Sequence, residues 1–345
     1  MVLSHYWVRD KIYVIFEAGL NHNGDPELAM KLVEAAAECG ADAVKFQKRD
    51  ITSLAISTML DSAETRFPSL GNTYREVRSK LELSKDVYRQ LRDRSHELGL
   101  DFMVTPFDSV SLDFILDVGI DSIKVASHSV ANPRLLEKIS KAKLPVVMSS
   151  GMVSLEELDC AVNIFNAAGT DLAILHCSSE YPTEDYGANL GLISTLANRY
   201  GRVTGFSGHE IGSLHSVLAL GMGAKIIERH VTLKNDLEGF DHKMSMDIES
   251  FKLFVKDIRR VPSILGDGVK KITAIEETTR AKYRVSMVSS RNIKKGEVLT
   301  QDMLTYKNPG TGLSALQEKH FLGKVVVREI AEDTLISPDF FSSSN

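Results

Sequence analysis

The sequence predicts an α/β protein, a (β/α)8 TIM-type barrel followed by a small β-rich domain. Two observations carry this reading. Eight short, β-branched apolar runs alternate with amphipathic helical stretches over about 260 residues, the pattern of parallel strands joined by crossover helices. Beyond residue 284 the apolar segments become short and are punctuated by glycine.

The candidate strands are Ile12–Glu17, Ala43–Gln47, Phe102–Pro106, Ser122–Ser127, Val146–Ser149, Leu172–His176, Val203–Ser207 and Ile226–His230. After the first, Asp25-Pro26 supplies an N-cap residue and a first-turn proline, which opens a helix. Leu155, Leu158, Val162 and Phe165 recur on one helical face, and Ser154 with Glu157 makes a capping box at its start. A doubly wound open sheet is the alternative, but no strand is followed by GxGxxG and the count reaches eight. Asp50–Leu83 is too long for a plain loop and is expected to form an extra element over the barrel mouth.

The barrel thus takes residues 1–266. Gly266-Asp267-Gly268 and the charged run Lys270–Arg284 read as a linker over 267–284, with a helical turn or two. Ser286–Ser289, Gly296–Leu299, Gly323–Arg328 and Thr334–Ile336 then outline a domain over 285–345. A core of that size is marginal alone, so it is expected to pack on a barrel, its own or a partner's.

Composition narrows the function. The 345 residues are 43% hydrophobic and 25% charged, as in an ordinary soluble globular protein. Lys and Arg number 41 against 46 Asp and Glu, a net charge of −5, and no basic run stands out, which argues against nucleic acid as partner. No apolar stretch reaches the ~18 residues of a spanning helix, and Met1–Lys11 lacks the pattern of a secretory signal. Cys39, Cys160 and Cys177 are odd in number and widely spaced, as expected of reduced thiols in a cytoplasmic enzyme. Cys177 beside His176 resembles a nucleophile with its base, but neighbours on a strand face opposite ways.

In a barrel, chemistry gathers at the C-terminal strand ends. Those ends are polar here: Glu17 and Asn21-His22-Asn23 after the first strand, Lys45 and Gln47 on the second, Thr105, Phe107 and Asp108 after the third, Lys124 and Ser127 on the fourth, Ser149 on the fifth. The sixth leads to Ser179 and Tyr181, the seventh to Ser207 and His209, and the eighth carries Glu228 and His230, with Asp241 and His242 in the loop beyond. Polar groups pointing into a barrel are costly unless paired, liganded or wet.

Lys45 and Gln47 share a face, as do Glu228 and His230. With those faces inward, Lys45 and Lys124 converge and, with serine hydroxyls and glycine N–H groups, make an anion site suited to a phosphate plus a carboxylate. His209 and His230 end adjacent strands. They read either as structural imidazoles or as ligands of one divalent ion with positions open to water or substrate. With Glu17 and Asp241 nearby and no thiolate, the set suits Mn²⁺ or Mg²⁺ at least as well as Zn²⁺.

Eight ordered motifs carry a family resemblance: EAGLNHNG (17–24), VKFQ (44–47), KVAS (124–127), SSGM (149–152), HCSSEYP (176–182), GFSGHE (205–210), ERH (228–230) and GFDH (239–242). Through them the chain resembles the sialic acid synthases, the phosphoenolpyruvate-dependent N-acylneuraminate synthase family. IKKGEVL (293–299) and NPGTGL (308–313) resemble that family's C-terminal antifreeze-like (SAF) domain. The resemblance implies a barrel plus SAF domain in a domain-swapped homodimer, the small domain capping the partner's site. It implies phosphoenolpyruvate binding at Lys45, Lys124, Ser127, Ser149, Tyr181 and Ser207, and a divalent metal on His209 and His230, Mn²⁺ first with Mg²⁺ or Co²⁺ as alternatives. Glu17, Gln47, Phe107 and Asp241 would line the side of an N-acyl hexosamine, with Thr105 among the substrate contacts.

Two departures stand out. Ser179 replaces an Asn of the bacterial enzymes, and Asn308 stands where they often have an Arg that reaches the N-acyl group, with either Asn308 itself or Lys307 left to take its place. TYREVR (73–78) and GFDH lean towards the animal enzymes that use a 6-phosphorylated sugar, with Arg75 or Arg78 either serving the phosphate or standing as plain surface residues. The reaction so implied joins phosphoenolpyruvate to an N-acylmannosamine-type aldehyde, releasing phosphate and a nine-carbon 2-keto acid. A legionaminic or pseudaminic acid synthase on the same scaffold, a Schiff-base pyruvate aldolase using Lys124 and a glycan-binding module stay open as rivals.

Overall fold

The eight predicted strands form, and they close on themselves. β1 (Tyr13–Gly19), β2 (Ala43–Lys48), β3 (Asp101–Pro106), β4 (Ser122–Val125), β5 (Val146–Ser149), β6 (Leu172–Cys177), β7 (Thr204–Gly208) and β8 (Ile226–Thr232) pair in parallel in chain order, and β8 returns to β1. This computed structural model describes residues 6, 7 and 11–342. β4 stops short of the sequence pattern because Ser127–Ser129 turn into a 3-10 helix.

A side-chain period of two sorts the strands into an inside and an outside. Tyr13, Ile15, Ala43, Met103, Val147, Ala173, Leu175 and Ile226 pack together in the barrel interior, capped by Trp7, whose ring meets Tyr13 edge-on at 5.5 Å. Val14, Phe16, Val44, Phe46, Phe102 and Val104 belong instead to the large outer core. Continuing the inward alternation past the apolar layers puts Glu17, Lys45, Ser149, Cys177, Ser207 and Glu228 at the top of the interior. The apolar lower layers hold the barrel shut while the upper one is left polar.

The outer layer is built from α1 (Pro26–Glu38), α5 (Lys85–Glu97), α6 (Ser109–Val118), α7 (Pro133–Ser140), α8 (Leu155–Ala167), α9 (Leu192–Tyr200), α10 (Leu214–Gly221) and α11 (Ile248–Ile258). Asp25 caps α1 through the Glu27 and Leu28 N–H groups, and Ser154 with Glu157 closes the capping box of α8. Between β2 and α5 the chain folds into α2 (Ile51–Leu54), α3 (Ser57–Leu60) and α4 (Tyr74–Lys80). Phe67, Leu70, Val77 and Leu81 of this insertion pack with Leu20 and Phe240, which ties it to the loops after β1 and β8. The predicted element over the mouth is therefore a small helical cluster with its own apolar centre. Among the described residues no helix is long and apolar enough to cross a membrane.

The turn after β1 is held by His22, whose Nδ1 accepts from the Gly24 N–H at 3.0 Å. Gly24 has φ +77°, and a Cβ there would lie 1.9 Å from the Lys80 carbonyl oxygen, so only glycine fits. Burial, above all, pushes His22 from its ordinary 6.5 down to about 4. The unfolded chain then binds a proton that the folded one refuses, so stability falls as pH drops from 6.5 towards 4 and levels off below. This one group contributes about 3 kcal/mol to that loss. His22→Gln should flatten this part of the urea-denaturation pH profile; an unchanged slope would contradict the assignment.

The chain divides after Gly266 into a second compact unit. It opens with α13 (Ala274–Tyr283), which follows the short α12 (Val261–Leu265) and begins in a capping box of Thr273 and Glu276. Ten residues of regular helix thus stand where the sequence pattern gave a turn or two. β10 (Ser286–Ser289), after the two-residue β9 (Met246–Asp247) of the barrel, pairs antiparallel with β11 (Leu304–Lys307). Single bridges at Ile293–Ile330, Val298–Val325 and Val326–Phe341 complete a β-rich unit around Met287, Ile293, Leu299, Val326, Ile330 and Phe341.

Candidate active site

The fourteen barrel residues read from the sequence as catalytic, substrate or metal contacts line one cavity of about 220 Å³ at the C-terminal ends of the strands, together with Glu228, whereas Asn21, His22, Asn23, Asp108 and His242 are not part of its lining. Register explains part of the convergence. Glu17 sits opposite Lys45 on one side and opposite His230 on the other, and Ser207 opposite Glu228. Glu17 Oε2 is 2.7 Å from Lys45 Nζ, and Glu17 Oε1 accepts from Gln47 Nε2 at 2.6 Å. Lys45 also donates to Thr105 Oγ1 at 3.2 Å. Glu228 links the two lysines, with Oε1 3.6 Å from Lys45 and Oε2 4.0 Å from Lys124. Lys124 donates to Ser149 Oγ at 2.6 Å, Ser207 donates to Glu228, and Ser127 Oγ accepts from the Gly151 N–H.

The lysines are therefore not a bare +2 site, as the strand pattern alone implied. They alternate with two carboxylates, and none of the four is more than 5% exposed. Burial would push the Glu228 carboxyl up, but Lys124 and Lys45 outweigh it and hold it at about 2. Burial likewise opposes the charge on Lys45, yet Glu17 and Glu228 raise it above its usual range; Lys124, with less compensation, is pushed below. Packed apolar residues stabilise a barrel at least as well as a buried charged quartet. This quartet is suited instead to a polar ligand that exchanges places with its internal partners.

Two imidazoles stand beside it. His209 Nδ1 donates to the Ser178 carbonyl at 2.9 Å, which fixes the tautomer and leaves Nε2 as a lone-pair donor. Burial, followed by the nearby His230, pushes His209 down to about 3, so the ring is neutral. The two rings lie 5.4 Å apart, and Tyr181 stacks on His209 at 4.1 Å. His230 Nδ1 is buried with no hydrogen-bond partner, 3.8 Å from Asp241 Oδ2. An orphaned imidazole nitrogen beside a neutral imidazole is a donor pair that fits a divalent ion. Among the described residues no three His, Cys, Asp or Glu side chains form a closed ligand cluster, so water and substrate would have to supply further positions.

Sequence reasoning missed part of the rim. Arg49 lines the cavity, its guanidinium 3.7 Å from the Phe107 ring centre and its Nη2 donating to Gln47 Oε1 at 2.6 Å. The signal was available, since Lys45, Gln47 and Arg49 continue one alternation past the strand end. Leu20, His128, Met152 and Phe240 also line the cavity from loops, where no periodicity marks them. Of the two arginines weighed for a sugar phosphate, Arg78 lines the cavity, whereas Arg75 is turned to Asp61 at 2.6 Å. Cys177 faces the cavity with its thiol pushed up by burial, while His176 is bonded to the Ala188 carbonyl, so they are not a nucleophile–base pair. Lys307 and Asn308 lie in the second unit, where Lys307 pairs with Asp333 at 2.5 Å.

Comparison with known proteins matches this architecture. Residues 32–270 match the NeuB family model and residues 284–342 the SAF domain. The N,N'-diacetyllegionaminic acid synthase of Campylobacter jejuni is 35% identical, over 94% of this chain and 99% of that protein. The human N-acetylneuraminate-9-phosphate synthase is 33% identical over 94% of this chain and 91% of its own length. The crystal structure of the N-acetylneuraminic acid (sialic acid) synthetase of Leptospira borgpetersenii, in complex with citrate, superposes with a TM-score of 0.69 at 32% identity, covering 78% of this chain and 90% of that one. The chain belongs to the NeuB family.

Proposed function

We propose that this chain is a phosphoenolpyruvate-dependent synthase. It condenses phosphoenolpyruvate with the open-chain aldehyde of an N-acylmannosamine-type sugar, releasing phosphate and a nine-carbon 2-keto acid. The observation that carries this reading is the meeting of the Glu17–Lys45–Glu228–Lys124 quartet with the imidazoles of His209 and His230 in one cavity. The names of two relatives, N,N'-diacetyllegionaminic acid synthase and N-acetylneuraminate-9-phosphate synthase, support it.

Lys45 and Lys124, with Ser127 and Ser149, hold the enolpyruvate anion, which shares each ammonium with the carboxylate already beside it. That fixes carbon 3 in line with the aldehyde, so the bimolecular step becomes one of position. Glu17, oriented by Gln47, handles the proton of the water that adds to carbon 2 or of the sugar hydroxyl formed. The adduct then collapses by C–O cleavage to release phosphate. Asp241 and Phe107 border the acceptor side. His209 and His230 would hold a divalent ion, Mn²⁺ first, whose chemistry is Lewis-acid polarisation of the aldehyde oxygen. The assembly we propose is the homodimer that the resemblance implies.

The test is phosphate release from phosphoenolpyruvate across N-acyl hexosamines, free and 6-phosphorylated, with metal-free and Mn²⁺-loaded protein. Acceptor-dependent release that needs the metal is expected. Release with no acceptor requirement, or none with any acceptor and metal, would overturn the reading.

A further inference from the structure

The motifs around the two imidazoles each carry a charged residue that the cavity does not use. Glu210 follows His209 and Arg229 precedes His230, and neither belongs to the cavity lining. Glu228 and His230 point into the barrel, so Arg229 between them points outward, towards α10. There its Nη1 meets Glu210 Oε1 at 2.6 Å, and both residues are only 2% exposed.

The contact is more than a simple ion pair. The same guanidinium holds Glu210 a second time, Nη2 donating to its backbone carbonyl at 2.6 Å. Nη1 also donates to the Gly212 carbonyl at 2.8 Å and to Ser216 Oγ at 3.2 Å. Ser216, on α10, donates to Glu210 Oε1 from its hydroxyl at 2.7 Å and from its backbone N–H at 3.2 Å. Gly208 leaves the room for this packing, since a Cβ there would lie 2.3 Å from Glu210 Oε2 and 3.1 Å from Arg229 Cδ.

For attaching a helix to a barrel, apolar residues of similar volume are no less stabilising than a buried ion pair. The place of this pair explains it better. His230 lies within the β1–β8 ladder, in register with Glu17. Pairing of β7 with β8 stops at Gly208 opposite Arg229, so His209 and Glu210 lie beyond it. The other bonds of His209 tie it to the loop after β6, its Nδ1 to the Ser178 carbonyl and its own carbonyl to the Thr183 N–H at 3.1 Å. Arg229 extends the link between the two strands by one step. Rooted in β8, it grips the residue next to His209 by side chain and main chain together.

We propose that Arg229 is a positioning residue, whose two-ended grip on Glu210 sets His209 against His230 at the spacing that a shared divalent ion requires. The inference rests on the metal role of the two imidazoles proposed above. Among the described residues no three ligating side chains form a closed cluster, so the spacing of these two rings carries the site.

The experiment is calorimetric titration of Mn²⁺ into the natural protein, Arg229→Lys, and the double variant Arg229→Met with Glu210→Met, each with a thermal melt. Lysine keeps the charge but has no fork to hold a carboxylate and a carbonyl together. Arg229→Lys should therefore weaken Mn²⁺ binding by about 10- to 100-fold. The double variant strands no charge, so it should melt close to the natural protein and still lose the same affinity. It carries the test if Arg229→Lys does not fold. Phosphoenolpyruvate binding to the metal-free proteins should be unchanged. Natural Mn²⁺ affinity in the double variant, an equal loss of phosphoenolpyruvate affinity, or failure of both variants to fold would make the pair a purely structural element and overturn the proposal. A natural protein that binds no Mn²⁺ would instead sink the metal reading, and the proposal with it.

Discussion

Glu17→Gln is expected to fold, to bind both substrates and to turn over about 10²- to 10⁴-fold more slowly. The substitution keeps the size of the side chain and its contact with Gln47, but removes the group that can take and return a proton. Lys45 retains Glu228 at 3.6 Å as counter-charge, so the ammonium is not stranded by the change. The effect should therefore fall on kcat, with KM for phosphoenolpyruvate moved by a small factor only. Steady-state kinetics with a thermal melt as control decide the point. A variant that keeps full kcat would remove Glu17 from the chemistry, and one that loses only affinity would make it a binding residue.

His230→Ala should abolish metal-dependent turnover, a loss of about 10³-fold or more, and should abolish Mn²⁺ binding by calorimetry. His230 Nδ1 is buried without a partner, which is a cost the fold carries with no structural return. Replacing the ring by a methyl group removes that orphan, so the variant should be no less stable than a cavity of its size allows. Full activity of the variant after treatment with a chelator would refute the metal role of this residue, whatever His209 does.

The strand-end residues were legible because a β-strand repeats every two residues. Once the apolar members of a strand face the barrel interior, Glu17, Lys45, Ser149, Ser207 and Glu228 must follow them, and their polarity marks the end of the packed layers. What the pattern could not reveal is pairing across the barrel. Lys45 comes from β2, Lys124 from β4 and Glu228 from β8, and only closure brings Glu228 between the two lysines. The two lysines therefore read as a free cationic pair from sequence and as half of a neutralised quartet in three dimensions. Arg78 and Phe240 were harder still, since they reach the cavity from an insertion and a loop whose course is set by the cluster of Leu20, Phe67, Leu70, Val77 and Leu81. α13 escaped for a different reason: it buries no residue, so it has no apolar stripe for periodicity to detect, and only its capping box announces it.

In the proposed reaction a metal ion and an enol phosphate occupy the same cavity. Paramagnetic relaxation of the ³¹P signal of phosphoenolpyruvate by protein-bound Mn²⁺ measures their proximity. Strong relaxation in the natural protein that disappears in His230→Ala is the predicted result. Phosphoenolpyruvate that binds with no relaxation from bound Mn²⁺ would place the two in different parts of the molecule and contradict the account.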